Sequence, residues 1–140
     1  MCIRDRGSSA VWLADLLKQF DIPGHIYSLD IKKPGIEYEG VTFIEGDTRR
    51  IEDLSTQFQD SPKPWLILED AHVNVVGVLK CMHNLMAPGD YLVVEDSAGK
   101  EQDIQKFMNE SGDCYRVDTR FTDYFGLNVT SAQNSVFRRV

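Results

Sequence analysis

Basic residues are in deficit: 15 Lys and Arg stand against 22 Asp and Glu, a formal net charge of −7. That balance opposes non-specific nucleic-acid binding and leaves no polybasic stripe for an anionic lipid surface. Long apolar runs are missing too. No stretch approaches the ~18 consecutive apolar residues of a membrane span, and the opening Met1 to Arg6 has no apolar core of the secretory kind. Cysteine is scarce and scattered: Cys2, Cys81 and Cys114 form no C-x-x-C pair, so neither a disulfide framework nor a zinc knuckle is supported. This pattern points to a reducing, cytoplasmic setting, with Cys81 as a small core residue. What remains is ordinary globular material. With 140 residues, 42% of them hydrophobic and 26% charged, the chain suits one domain with its own core and argues against wholesale disorder.

Helical and strand patterns alternate along the chain. Ser8 or Ser9 can cap a helix whose apolar positions Ala10, Leu13, Leu16, Leu17 and Phe20 follow one stripe, with Trp12 expected in the core. Asp21-Ile22-Pro23-Gly24 breaks it. Strands are expected at 25–30 and 41–45, then a weakly amphipathic helix at 51–58, a strand ending at Asp70, a helix at 73–86, a strand ending at Asp96 and a helix at 100–110. In that last helix Ile104, Phe107 and Met108 form the buried face. Two β-prone tail segments, 114–119 and 135–140, would add an antiparallel strand near one edge. Alternation of this kind predicts an α/β sandwich with a mainly parallel sheet.

Two segments carry the chemistry. Trp65-Leu66-Ile67-Leu68-Glu69-Asp70 and Tyr91-Leu92-Val93-Val94-Glu95-Asp96 are both short apolar runs that stop on paired carboxylates. Such runs read as strands buried on both faces of a parallel sheet. Ligands of open α/β sheets bind outside the carboxyl ends of the strands. If the two strands are neighbours, four carboxylates meet at one rim and repel one another unless a cation sits among them. Oxygen ligands of this kind suit Mg²⁺ or a similar hard divalent cation. Glu69 is the expected bystander, because strand alternation points it away from Asp70.

The start of the chain departs from the nucleotide-binding pattern. Such sheets begin with a strand feeding a glycine loop, whereas here Gly7-Ser8-Ser9 leads almost directly into a helix. Residues 1–6 read as a non-native leader resembling a translated adapter remnant, and residues 7–140 as a single truncated domain lacking its first strand and glycine loop.

Several motifs together resemble a known family. They are Gly7-Ser8-Ser9-Ala10-Val11-Trp12-Leu13-Ala14-Asp15, Tyr27-Ser28-Leu29-Asp30-Ile31, Ile44-Glu45-Gly46-Asp47, Leu68-Glu69-Asp70-Ala71-His72, Pro88-Gly89-Asp90-Tyr91-Leu92-Val93-Val94-Glu95-Asp96 and the ending from Phe125-Gly126-Leu127-Asn128 to Arg139-Val140. They resemble the cephalosporin hydroxylase and rhamnosyl O-methyltransferase group, within the class I S-adenosylmethionine-dependent methyltransferases. The Pro-Gly-Asp-Tyr to Glu-Asp block is the most specific piece. The resemblance implies a Rossmann-like, doubly wound, mainly parallel sheet of the class I methyltransferase type, S-adenosylmethionine at its carboxyl edge, and a Mg²⁺-type cation held by Asp70, Glu95 and Asp96. The segment after Asp70 is shorter here than in many relatives.

Each candidate has a plainer alternative. Asp70, Glu95 and Asp96 are read as metal ligands; the alternative is solvated acids that merely end strands. Asp30 would accept the ribose hydroxyls, as the analogous acid does in dinucleotide folds; otherwise it forms a turn ahead of Lys32-Lys33-Pro34. Asp47 would lie near the adenine, or be a turn-forming Asp. Gly7 and Ser8 would face the methionine part of the cofactor, or only cap the helix. His72 is the candidate general base toward an acceptor hydroxyl, since imidazole exchanges protons near neutral pH; it could equally cap the following helix or be solvated. His25 and His83 read as ordinary residues. Phe121, Tyr124 and Phe125 either wall an acceptor pocket or pack under the tail strand.

The expected activity is metal-assisted O-methylation of a hydroxyl on a sugar, a glycolipid or a secondary metabolite, so the partner is a small hydroxylated molecule. The alternatives are a cephalosporin-hydroxylase-like tailoring protein and a non-catalytic cofactor-binding module. Intrinsic iron-oxygenase chemistry is disfavoured, because the sequence has an acidic cluster with one nearby His and no 2-His-1-carboxylate set. Oligomeric state is left open, a homo-oligomer included.

Overall fold

The structure is a computed structural model that describes residues 7–123, 132–133 and 135–140. The leader Met1 to Arg6, with Cys2, and the tail positions Tyr124 and Phe125 through Asn128 lie outside the described residues. The chain forms two compact units, Met1–Arg50 and Ile51–Val140.

In the first unit, α1 (Ser8–Gln19) precedes two parallel strands, β1 (Ile26–Asp30) and β2 (Val41–Glu45), paired in register from Ile26 with Val41 to Asp30 with Glu45. Buried Phe43 and Ile44 of β2 anchor its core together with Ala10 of α1. The helix cap differs from expectation. Gly7, not Ser8 or Ser9, occupies the N-cap, in the left-handed conformation at φ 86°. Glycine is required there twice over: the backbone angle penalises any Cβ, and a Cβ would stand 2.7 Å from the Phe43 ring. At the other end, Phe20 is the C-cap and is exposed. Trp12 is exposed as well, because position 12 lies off the stripe that turns Ala10, Leu13, Leu16 and Leu17 inward.

The second unit opens with α2 (Ile51–Ser55), shorter than its apolar pattern predicted, followed by turns to residue 61. Next come β3 (Leu66–Glu69), α3 (Val75–Leu85), β4 (Tyr91–Val94), α4 (Glu101–Ser111), β5 (Tyr115–Val117), a short helix α5 (Thr119–Thr122) and β6 (Val136–Arg139). Strand order is β3-β4-β6-β5. β3 and β4 are parallel neighbours, Glu69 opposite Val94, and β6 enters antiparallel between β4 and β5. The tail therefore supplies two antiparallel pairings. Leu79 and Met82 of α3, Phe107 of α4, Leu92 and Val94 of β4, and Phe137 of β6 make up the core. Cys81 is buried there, and burial pushes its thiol pKa up. One expectation fails: β3 is not covered on both faces, since Leu66 and Leu68 are exposed.

Candidate functional site

The expected site residues divide between the two units. Gly7, Ser8, Asp30 and Asp47 belong to the first; Asp70, His72, Glu95 and Asp96 belong to the second.

In the first unit, Asp30 and Glu45 end their strands side by side. The carbonyl of Asp30 accepts the amide of Gly46 at 2.9 Å, and Glu45 Oε2 accepts the amide of Lys33 at 2.9 Å, so the two outgoing loops are tied to the strand ends. The Asp30 carboxylate is exposed. Asp47 is engaged differently. It accepts the Arg49 amide at 2.9 Å and the Arg49 guanidinium in a two-pronged pair, which holds its carboxyl at about 2. Ser8 is exposed in the first turn of α1.

In the second unit the ladder of β3 and β4 runs one step past the strands, the Glu95 amide donating to the Glu69 carbonyl at 2.9 Å. Asp70 leaves the sheet at this point. Asp96 follows Glu95 in the left-handed conformation, φ 50° and ψ 38°, and begins a 3₁₀ turn over Ser97–Gly99. Asp tolerates that conformation better than most residues because its short side chain bonds locally. The reversal returns the Asp96 carboxylate toward Asp70: one donor atom each from Asp70, His72 and Asp96 lie within 4.8 Å of one another, all three residues exposed. His72 Nδ1 lies 3.0 Å from the carbonyl of Asp70, and Nε2 lies 3.7 Å from Asp96 Oδ2. Burial, with the charges of Asp70 and Asp96 added, pushes the Glu95 pKa up.

Two of the four strand-end acids, Asp70 and Asp96, meet in this group, with His72 in the place expected for Glu95, whose half-buried carboxylate is not part of it. Glu69 turns into the interior as alternation requires, and accepts Lys100 Nζ at 2.9 Å in a pair that is almost wholly buried. Burial nevertheless raises its pKa, against the lowering effect of Lys100. Lys100 went unnoticed in the sequence, where a lysine opening a helix 31 residues after Glu69 carries no signal of the contact. The donor set suits a hard divalent cation. Opposite ligands of an octahedral Mg²⁺ stand about 4.2 Å apart, close to the 4.8 Å within which the present donor atoms lie. Among the tail aromatics, Phe121 is exposed and meets the Tyr91 ring edge-on at 6.2 Å.

These features define an α/β, Rossmann-like fold with acid-ended parallel strands, the architecture of the class I methyltransferases. Known proteins agree. The chain is 26% identical over 158 aligned positions to "Rhamnosyl O-methyltransferase" of Mycobacterium tuberculosis (strain ATCC 25618 / H37Rv), and equally to that of Mycobacterium bovis (strain BCG / Pasteur 1173P2), covering 95% of this chain and 63% of the relative. Among solved structures, an apo form of CmcI superposes with a TM-score of 0.79 at 21% identity, over 96% of this chain and 60% of that one. CmcI with Mg-SAM gives 0.72 at 23% identity, over 94% and 60%. The likeness to CmcI shows the fold, and the match to the rhamnosyl O-methyltransferases agrees with the resemblance read from the motifs. No protein-family model matches the chain. The chain spans less than two thirds of the length of these relatives.

Proposed function

We propose that the chain is the greater part of an S-adenosylmethionine-dependent, divalent-metal-assisted O-methyltransferase acting on a hydroxyl of a sugar, glycolipid or secondary metabolite. The observation that carries this reading is the gathering of Asp70, His72 and Asp96 at the carboxyl ends of two adjacent parallel strands. Support for the donor and cation comes from the CmcI structure with Mg-SAM, and support for a sugar acceptor from the rhamnosyl O-methyltransferases.

Asp70 and Asp96 would hold the cation, with Glu95 as the third carboxylate. Bound there, a divalent cation supplies Lewis acidity that orients and acidifies an acceptor hydroxyl. S-adenosylmethionine supplies an already activated methyl group, so the protein's work is alignment and proton removal. His72 suits the second task. A carbonyl only accepts, so Nδ1 must carry the proton it donates to Asp70, and a neutral imidazole then presents Nε2 as the base. Nε2 cannot ligate a cation and take a proton at once; the reading gives it the proton. In the first unit, Asp30 would accept the ribose hydroxyls, Asp47 would lie beside the adenine, and Gly7 with Ser8 would approach the methionine end. Setting the protein in the cytoplasm rests on free Cys81 and Cys114; among the described residues no helix is long and apolar enough to cross a membrane.

Methyl transfer from labelled S-adenosylmethionine to a rhamnose-bearing glycolipid, with and without Mg²⁺, tests the proposal in the full-length protein. Mg²⁺-dependent transfer that disappears in Asp96→Ala is the expected result. Cofactor binding without turnover on any hydroxylated acceptor would favour the binding-module reading instead.

A further inference from the structure

Lys100 is 4% exposed, and among the described residues its ammonium hydrogen-bonds Glu69 alone, at 2.9 Å, while its charge also acts on Glu95. Stability alone does not explain such a pair, because a buried salt bridge roughly breaks even against apolar residues of similar size. Its position does. Glu69 is the residue before Asp70 and ends β3; Lys100 closes the 3₁₀ turn that Asp96 begins, its amide donating to the Ser97 carbonyl at 3.0 Å while the Gly99 amide donates to Asp96 at 2.9 Å. The bridge thus joins the two chain segments that carry Asp70 and Asp96, from the buried side of the sheet edge. A second observation points the same way. Glu69 Oε1 is buried with no hydrogen-bond partner among the described residues, so the carboxylate is held chiefly by Lys100. Carboxylates this close disfavour each other's charge, and Lys100 is the only buried lysine or arginine among the described residues.

We propose that Lys100 is a positioning residue of the acidic site: through its buried bond to Glu69 it clamps the Asp96 turn to the end of β3 and sets the spacing of the Asp70 and Asp96 carboxylates for a divalent cation. This inference rests on the cation reading above. It assigns Lys100 no contact with substrate or cofactor.

The test is calorimetric titration of Mg²⁺ into the full-length protein, the Glu69→Gln, Lys100→Met double variant and Lys63→Met. The double variant removes both charges together, so no lone ion is left buried to unfold it. Lys63→Met breaks a different pair, Lys63 with Asp90 at 3.0 Å, beside the opposite ends of the same two strands, and controls for general loosening. Expected is Mg²⁺ uptake by the wild type, a Kd raised about tenfold or more in the double variant, in the range found when supports of metal ligands are removed, and a Kd within about twofold for Lys63→Met despite a lower Tm. Equal affinity in wild type and double variant overturns the inference alone, as does an equal loss in Lys63→Met. A wild type that takes up no Mg²⁺ overturns the cation reading, and this inference with it.

Discussion

Asp90 Oδ1 accepts the backbone amide of Trp65 at 2.7 Å, joining the residue before β4 to the residue before β3. The other oxygen accepts the Ala87 amide at 2.8 Å and Lys63 Nζ at 3.0 Å, and the carboxylate is almost fully buried. Register between the two acid-ended strands is therefore set at their beginnings as well as along the ladder. Asp90→Ala strands two amides and an ammonium, and should cost about 2–4 kcal/mol. A urea titration checks this; a loss below about 0.5 kcal/mol would mean the carboxylate is dispensable.

Acid stability should carry two opposite contributions. Burial would raise the Asp90 pKa, but the Ala87 and Trp65 amides and Lys63 outweigh it and hold it below the ordinary value. Its stabilisation is thus complete above the unfolded carboxyl value of about 4 and fades as pH falls through the lower folded value. Glu95 runs the other way: its folded pKa is raised, so its charge costs stability near neutrality, and that cost is relieved as pH falls from the raised value toward the unfolded one. In Asp90→Asn the acid-side loss should flatten, and in Glu95→Gln the gain on mild acidification should vanish. Tm measured from pH 7 to pH 3 reads both.

Asp96→Asn should make the ion-free protein more stable while weakening its hold on a cation. Removing one carboxylate relieves repulsion on Glu95, whose pKa the Asp96 charge raises. A Tm gain of a few degrees, the shift expected from about 1 kcal/mol or less, should accompany loss of the Mg²⁺-induced rise in Tm. A destabilised Asn variant that still responds to Mg²⁺ would show that the cluster is ordinary surface acid.

Gly7→Ala should be destabilising by about 1–2 kcal/mol, since it pays for a positive φ and drives a methyl into the Phe43 ring. Chemical denaturation measures it directly. Ala tolerated without loss would mean the loop before α1 relaxes easily.

Asp30 and Asp47 should separate in cofactor binding. Asp30 is exposed, whereas Asp47 is already paired with Arg49. Asp30→Ala is expected to weaken S-adenosylmethionine binding about tenfold or more, the value of a charge-assisted hydrogen bond, and Asp47→Ala less. Fluorescence or calorimetric titration gives both; identical wild-type affinity in Asp30→Ala would leave it only the turn-forming role.

Most element positions were legible because they depend on local pattern. Val41 to Glu45 and Tyr91 to Val94 are strands where their apolar content placed them, and Phe107 is the centre of the buried face of α4. Local pattern failed where backbone angle or tertiary cover decided. Ser8 and Ser9 are standard N-cap residues, but the chain enters α1 at a positive φ that only Gly7 accommodates cheaply. Leu66 and Leu68 have the composition of a doubly covered strand and are nevertheless exposed. The short helix Thr119–Thr122 escaped notice because four residues are too few for a periodicity to register.

For the site, sequence alone determined that two strands end on acids and that alternation separates Glu69 from Asp70, since both follow from the two-residue repeat of a strand. Tertiary structure decided the rest. Pairing of β3 beside β4 was needed to make two acidic ends into one rim, and the left-handed turn at Asp96 was needed to bring its carboxylate back toward Asp70 and His72. The bond between Glu69 and Lys100 closes across 31 residues, and contacts at that separation depend on the path of the whole chain rather than on any neighbour in sequence.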